Sequence, residues 1–595
     1  MKDIESTIKR LLTGTGNAPD RLLQDLCTIQ QLYTHIPAAA VELLADKLNI
    51  PPAQIYGLVD FYAFLHREAR GDFDILFSDN ITDRMFGNQA LIDSLCKRLG
   101  VKRGVPRPDN RVTVDVTSCT GICDQGPAMM VNGRVVSRLD AGRISKIAEL
   151  VETGVPVADW PESFFVVEDN IQRRDLLLSN QIANGSAIDS LLHHKSDGIL
   201  AELEKSSLRG RGGAGFKTAM KWRYCRDAEA DEHYVVCNAD EGEPGTFKDR
   251  VLLNSYGDTL FEGMTLCAGV IGAKKGILYL RGEYRYLLDA LKQTLQRRRN
   301  EKLLGEGILG QQGFDFDIEI HLGAGAYICG EESALIESLE GKRGIPRVRP
   351  PFPVTHGYLN KPTVVNNVET FIAAAKIAVL GADWFRSVGT EESAGSKLLS
   401  ISGDVERPGI YEFPFGVTIN EILDACGTEN IQAVQVAGAA GATISPQEFN
   451  RTIAFEDIST AGSFMVFSGR RNLIDMVQNF AHFFCHESCG LCTPCRVGGT
   501  LMKDLVEKVI AGHATRYDLN EMRNIGQVMK QASHCGLGAT AANHIFDTLE
   551  KFPYIYEQHL SHSSYGPAFD LDAALGAARE ITGRDDAGAH LRDET

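Results

Sequence analysis

The sequence predicts a multidomain α/β protein, and three observations point there. The chain has 595 residues, more than one hydrophobic core serves, and at about 150 residues per domain there is room for roughly four. Hydrophobic periodicity changes along the chain: three- and four-residue spacing up to residue 70, then alternation and short apolar strands broken by helical stretches. A glycine-rich loop, GAGAYICG, stands between a strand-like and a helix-like segment, the connection that α/β units use; a second, SLRGRGGAGF, follows residues that read as helix or loop.

Residues 1–70 read as a helical bundle, with LLQDLCTIQQLYTHIPAAAVELLADKLNI carrying the helical period and Pro51 and Pro52 punctuating it. Residues 71–155 read as a small α/β unit: DFDILFS and RVTVDVTS are strands, and GNQALIDSLCKRLG and RISKIAELV are helices. In PAMMVNGRVV the pair Asn132-Gly133 signals a two-residue hairpin. VPVADWPE is a linker, and residues 163–370 form a longer α/β region with strands YVVC, KGILYL and DFDIEIHL. Residues 396–470 read as a compact α+β domain, 472–560 as helical, and 561–595 as a tail with a mobile end.

Composition excludes several functions. The net charge is −17, with no basic run longer than three residues, so neither nucleic acid nor an anionic membrane is an expected partner. The N-terminus lacks the pattern of a signal peptide, and the longest apolar stretch, FIAAAKIAVL, is interrupted by Lys376. The expectation is a soluble, cytoplasmic protein whose 14 cysteines are not disulfide-bonded.

Four motifs carry chemistry. In HESCGLCTPCRVGG, Cys489, Cys492 and Cys495 form C-x2-C-x2-C, a pitch that wraps one face of an iron–sulfur cube. Cys535, in SHCGLG, is the candidate fourth ligand. Zinc is the rival metal, but it more often uses two separated C-x2-C pairs. Cys485 reads as a core thiol. In SLRGRGGAGF, Gly210, Gly212 and Gly215 flank Arg211, with Lys217 and Lys221 downstream, which suits a phosphate better than a plain turn. In YVVCNADEGEPGTFKDR a strand ends at Asn238, Asp240, Glu241 and Glu243, where open α/β sheets bind ligands; a solvated acidic loop reads as well. In HLGAGAYICGEESALIESLE a second glycine loop opens a helix at Glu331 and Glu332. Cys329 there has no relay partner and reads as packing. Pro350, Pro351 and Pro353 set Phe352 in an extended loop, as a stacking ring or a core plug.

GAGAYICGEESALIES, ESCGLCTPCR, SLRGRGGAGF, NADEGEPGTFKDR, YLRGEY and PTVVNNVET, in order over about residues 165–560, resemble the flavin-bearing 51-kDa family of NADH dehydrogenase subunits. Residues 1 to about 150 resemble the 24-kDa partner of that family, a helical bundle followed by a thioredoxin-like domain. Such a fusion is similar to the diaphorase alpha subunits of NAD-reducing [NiFe]-hydrogenases. The resemblance implies a Rossmann-like flavin and nucleotide domain over 163–370, a ubiquitin-like domain over 396–470, and a [4Fe–4S] cluster in the C-terminal helices. It implies FMN at Gly210, Arg211, Gly212, Lys221, Asn238, Asp240, Glu241, Tyr327, Gly330, Glu331, Asn366 and Asn367. It implies NAD(H) at Phe216, Glu243, Glu332 and Phe352, and at Tyr224, where the family often has Phe. The cluster is implied at Cys489, Cys492, Cys495 and Cys535.

The implied reaction exchanges a hydride between NAD(H) and FMN, and single electrons between FMN and the cluster, with no catalytic side chain. Glu243 and Glu332 would disfavour NADPH. The implied partners are an iron–sulfur electron-transfer subunit and a hydrogenase module. The alternatives are the beta subunit of an NAD-dependent formate dehydrogenase, a complex I-like NADH dehydrogenase subunit and, remotely, a zinc-stabilised scaffold. One departure stands out. The 24-kDa family holds a [2Fe–2S] cluster by two cysteine pairs; here Cys119 and Cys123 supply one pair, and Ser78 and Asp83 stand at the other. The expectation is that this cluster is absent.

Overall fold

The computed structural model describes residues 4–15, 18–561 and 571–585. Four helices, Ile4–Thr15, Leu22–Tyr33, Ala38–Leu48 and Pro52–Val59, open the chain. Leu22, Leu26, Ile29, Val41 and Leu44 recur at helical spacing and are buried. This bundle leans on the later α/β region: the Gln24 amide clasps Leu322, Nε2 donating to its carbonyl at 2.9 Å and Oε1 accepting from its N–H at 3.0 Å.

The next unit is a four-stranded sheet of order β2-β1-β3-β4, from β1 (Phe73–Ser78), β2 (Val112–Thr117), β3 (Met129–Val131) and β4 (Arg134–Val136). The pair β1/β2 is parallel, and the others are antiparallel. Asn132 and Gly133 both have positive φ, 49° and 78°, as a type I′ hairpin requires. Helices Asn88–Leu99 and Ala141–Thr153 cover the sheet with buried Ile92, Leu95, Ile144, Ile147 and Val151.

Strand β5 (Ile171–Arg173) follows the linker. Then come β6 (Tyr234–Ala239), β7 (Lys275–Leu280), β8 (Asp317–Leu322) and β9 (Thr363–Asn367), an all-parallel sheet of order β8-β7-β6-β9. The chain steps from β6 to β7 and β8 on one side, then returns with β9 on the other. The topological switch point therefore lies between β6 and β9. Helices Ser186–Lys205, Gly257–Ile271 and Val368–Leu380 pack together against this sheet. Lys376 is buried in the last of them, donating to the carbonyls of Leu177 and Asn180.

A six-stranded mixed sheet of order β13-β12-β14-β10-β11-β5 adds β10 (Ser396–Gly403), β11 (Gly409–Pro414), β12 (Ile431–Val436), β13 (Ala442–Ile444) and β14 (Ser463–Ser468). Strand β5 lies far upstream in sequence but pairs in parallel with β11. Helices Leu473–Glu487, Thr493–Ile510, Arg516–Ala532, Gly536–Thr540, Asn543–Lys551 and Tyr554–Glu557 follow. In the tail, Leu571–Thr582 is a helix; the expected mobile end lies outside the described residues. Among the described residues no helix is long and apolar enough to cross a membrane.

Candidate functional site

The register of the parallel sheet sets Asn238, near the end of β6, beside Asn367, the last residue of β9. A cleft of about 1190 Å³ opens at these strand ends. The glycine loop closes one wall: Gly210 N–H donates to the Phe216 carbonyl at 2.9 Å, and Gly213 and Gly215 take positive φ of 114° and 64°, the region that favours glycine. Gly212 lies so close that a Cβ there would sit 3.3 Å from the Asn367 Cβ.

Of the residues implied by resemblance, Gly212, Asn238, Glu241, Glu243, Tyr327, Gly330, Glu331 and Asn367 line this cleft. Most are fixed by the chain's own bonds. Asn238 Nδ2 donates to the Gly330 carbonyl at 2.9 Å. Glu241 caps helix Lys248–Ser255, accepting from the N–H groups of Asp249 at 2.7 Å and Arg250 at 3.1 Å and from the Tyr284 hydroxyl at 2.8 Å. Burial, with the Asp249 charge adding, pushes Glu241 up to about 7. Glu243 accepts from the Tyr327 hydroxyl at 2.5 Å and from Ala440 N–H at 3.0 Å; burial raises it to about 7 against those bonds. Glu331 caps helix Glu332–Leu339 through Ser333 and Ala334 N–H at 3.1 and 2.9 Å. Asn367 caps Val368–Leu380 and donates to Asp249 Oδ2 at 2.6 Å.

The remaining residues do not line the cleft. Arg211 is buried with its guanidinium 4.6 Å from the Phe415 ring centroid, pointing into the joint with the mixed sheet and donating to the Ala394 carbonyl at 2.9 Å. Burial pulls its pKa down to about 10. Asn366 accepts from the Trp222 indole at 3.0 Å. Lys221, implied for FMN, and Glu332, implied for NAD(H), form an ion pair of 2.9 Å, with Arg349 3.7 Å from Glu332. Phe216, Tyr224 and Phe352 present rings 47, 49 and 51% exposed; for Phe352 that sets aside the core-plug alternative. Asp240 is buried below the cleft. A Cβ at Gly330 would approach its Oδ2 to 3.5 Å, and that oxygen has no hydrogen-bond partner among the described residues. Burial pushes Asp240 well above the carboxylate range.

Sequence reasoning missed part of the wall. Lys248 is buried yet lines the cleft, its Nζ 2.6 Å from Asp249, 3.2 Å from Asn367 Oδ1 and 3.2 Å from Glu369. Ala437, Ala440, Gly441 and Ala442 close the cleft from the mixed sheet, and Arg523 and Lys530 from the C-terminal helices. The run AGAAGA was the available signal: small residues let a backbone approach a ligand.

Cys489, Cys492, Cys495 and Cys535 line one small cavity with Ser488, Leu491 and His534. Cys492 and Cys535 stand at the N-cap positions of helices Thr493–Ile510 and Gly536–Thr540. A Cβ at Gly538 would meet the Cys495 Cβ at 2.8 Å. Among the described residues no group of three or more His, Cys, Asp and Glu is set around a single-ion point; the four thiols are spread around a cavity. Cys485 is half-buried and faces Thr500 Oγ1 at 3.8 Å, so it is not the core thiol expected. Cys329 is fully buried, as a packing residue should be. Ile328 and Leu537 line both the cleft and the cysteine cavity.

At the end of β1, Ser78 and Asp83 form one buried pair and Cys119 and Cys123 another, their sulfurs 3.5 Å apart. Ser78 Oγ donates to Asp83 Oδ2 at 2.5 Å, Asp83 Oδ1 accepts from Ala128 N–H at 3.0 Å, and Asn80 Nδ2 donates to Cys123 Sγ at 3.0 Å.

The residues present fit a flavin nucleotide and a cluster. The cleft at the switch point is lined with glycine and carries the Asn238 and Asn367 amides and the Lys248 cation, and four thiols surround the second cavity. Comparison with known proteins agrees. Residues 203–376 match the Nuo51 FMN-binding domain, 8–152 the thioredoxin-like [2Fe-2S] ferredoxin, and 475–559 the NADH-ubiquinone oxidoreductase-F iron-sulfur binding region. An NADH-quinone oxidoreductase subunit of Aquifex aeolicus is 40% identical over 64% of this chain and 90% of its own. The crystal structure of an NAD+-reducing [NiFe]-hydrogenase in the H2-reduced state superposes with a TM-score of 0.88 at 44% identity, covering 97% of this chain and 100% of that one. The NAD-reducing hydrogenase HoxS subunit alpha of Cupriavidus necator is 44% identical over 96% of this chain and 98% of its own. The chain belongs to the family of NAD-reducing hydrogenase alpha subunits.

Proposed function

We propose that this chain is the diaphorase subunit of a cytoplasmic NAD-reducing hydrogenase, working with an iron–sulfur electron-transfer subunit and a hydrogenase module. The observation that carries the reading is the wall shared by its two sites: among the described residues, only Ile328 and Leu537 are common to the nucleotide cleft and the cysteine cavity. A flavin in the first and a [4Fe–4S] cluster in the second supply the chemistry, converting a two-electron hydride into single electrons.

The chain's residues do the positioning. Asn238, Asn367, Lys248 and the glycine loop hold the flavin nucleotide, with Gly210 and Asn366 supporting them from behind. Asp240 offers its unpartnered Oδ2 as a hydrogen-bonding group behind Gly330. Glu243, held by Tyr327, faces the nicotinamide nucleotide. Phe216, Tyr224 and Phe352 offer exposed rings for base stacking. Lys221 and Glu332 exchange their mutual pair for contacts with the ligands. Arg211 acts indirectly, locking the glycine loop to the mixed sheet, which we read as the ubiquitin-like domain. Glu241 and Glu331 act through the helices they cap.

The N-terminal unit carries no [2Fe–2S] cluster in this reading. Ser78 and Asp83 satisfy each other, and the Asn80 amide occupies the donor position on the thiols. The unit then serves as a docking element.

Cys492→Ala tests the proposal. The purified variant is expected to keep its flavin absorption and its NADH-driven reduction of a flavin-level dye, and to lose the [4Fe–4S] EPR signal and electron delivery to the partner subunits. An intact EPR signal would remove Cys492 from the ligand set.

A further inference from the structure

We propose that Cys119 and Cys123 form a redox-active dithiol, oxidised by peroxide to an intrachain disulfide at the joint between the thioredoxin-like unit and the flavin cleft. This rests on the reading that no cluster occupies these two thiols. Their sulfurs stand 3.5 Å apart in a buried loop, so a disulfide requires an approach of about 1.5 Å. The space holds donors suited to a sulfur anion. Asn80 Nδ2 lies 3.0 Å from Cys123 Sγ and 3.6 Å from Cys119 Sγ, and Gly121 N–H donates to Cys119 Sγ at 3.4 Å. The hydrogen bond from Cys123, with the Arg281 charge helping, holds Cys119 below the usual thiol range against its burial. Cys123 is held above that range by the same bond. Cys119 is thus the attacking sulfur and Cys123 the resolving one.

The loop is wired to the cleft. Arg281 donates to the Cys119 carbonyl at 2.7 Å and to the Glu241 carbonyl at 2.8 Å. Ser118 Oγ donates to Glu487 Oε1 at 2.5 Å, and the other oxygen of Glu487 accepts from Tyr327 N–H at 3.0 Å. Pulling the two sulfurs together therefore shifts a backbone that touches both the cleft and the helix leading to Cys489.

The chemistry balances with hydrogen peroxide as oxidant. Cys119 thiolate attacks one peroxide oxygen, giving a sulfenic acid and hydroxide, which takes up the proton that Cys119 gave up. Cys123 sulfur then attacks the sulfenic sulfur, the S–S bond forms, and water leaves. Dithiothreitol reverses the product to two thiols.

The test uses the full chain purified with its cofactors, exposed to hydrogen peroxide, denatured, alkylated and digested with trypsin. Residues 112–134 form one tryptic peptide containing both cysteines. It is expected to appear two hydrogens lighter and unalkylated after peroxide, and doubly alkylated after dithiothreitol; oxygen gained at Met129 or Met130 is resolved by fragmentation. In Cys123→Ser, dimedone is expected to trap a sulfenic acid on Cys119, and in Cys119→Ser none on Cys123. A peptide that stays doubly alkylated at every peroxide dose, with unchanged iron and sulfide content in Cys119→Ser, overturns the dithiol alone. Loss of a [2Fe–2S] EPR signal and of acid-labile sulfide in Cys119→Ser overturns the clusterless reading beneath it.

Discussion

The joint between the thioredoxin-like unit and the flavin domain should depend on one buried ion pair. Arg250 and Asp124 side chains are 1% and 0% exposed, and their N–O contacts are 2.9 and 3.1 Å. The same guanidinium donates to the Gly121 carbonyl at 3.0 Å and the Glu168 carbonyl at 3.1 Å. Asp124→Asn keeps the shape and removes the charge, leaving a buried cation without its counter-ion. Breaking such a pair from one side costs roughly 3–5 kcal/mol, much of it the penalty of the stranded charge. The double variant Asp124→Leu/Arg250→Met should cost less than Asp124→Asn alone, because it strands no charge, although the Gly121 and Glu168 carbonyls lose a donor. The chain has several units, so global unfolding is not two-state, and amide hydrogen exchange in residues 118–124 reads the local opening instead. At about 1.4 kcal/mol per tenfold, Asp124→Asn should speed exchange there at least about 100-fold and leave the core of the C-terminal helices unchanged. Exchange within a factor of about two of wild type, the ±0.5 kcal/mol expected of an uninvolved site, would refute the argument.

Three other outcomes are expected. Glu243 is raised by burial to about 7, so the fold favours its neutral form; its contribution is full below about pH 4.5 and is lost as pH rises through 7. Between pH 5 and 8 the flavin-free wild type should therefore lose up to on the order of 3 kcal/mol relative to Glu243→Gln, read from amide-exchange protection around residue 243 in the two proteins, and parallel pH profiles would count against it. Glu332→Gln should raise the NADPH/NADH ratio of kcat/KM by only about fivefold, the factor that ~1 kcal/mol of charge repulsion supplies, because Lys221 already pairs with Glu332 at 2.9 Å; an unchanged ratio removes Glu332 from nucleotide choice. Ser78→Cys/Asp83→Cys in the full chain should acquire a [2Fe–2S] EPR signal on anaerobic reconstitution; no signal in a folded double variant would mean that more than two ligands were lost.

What could be read from the sequence had a local signature. The Asn132-Gly133 turn, the strand ending at Asn238 and the cysteine spacing are short patterns whose chemistry does not depend on distant partners. Those features lie where the structure needs them. What could not be read was set by distant contacts. Strand β5 has three residues and no period to detect, and it exists because the edge of β11 accepts it. Arg211 sits in a glycine loop that suggests an anion cradle, yet three aromatic rings from later segments draw its guanidinium away. Lys248 has no sequence pattern of its own; its place in the cleft follows from Glu369, which Lys397 also contacts at 2.5 Å.

Those buried charges share a location. Arg250–Asp124 joins the thioredoxin-like unit to the flavin domain, and Lys248 and Lys397 on Glu369 join the flavin domain to the mixed sheet. Arg281, paired with Glu283 at 2.7 Å, ties the Cys119 carbonyl to that of Glu241. Apolar replacements of similar volume would hold such joints as strongly, since the cost of desolvating two ions offsets most of their attraction. An ion pair tolerates displacement less well than an apolar contact, because each hydrogen bond has a distance and an angle to keep. The units meet around a cleft parted from the cysteine cavity by Ile328 and Leu537. A slip of about one ångström at any joint would change the thickness of that wall, so fixed register is worth more here than added stability.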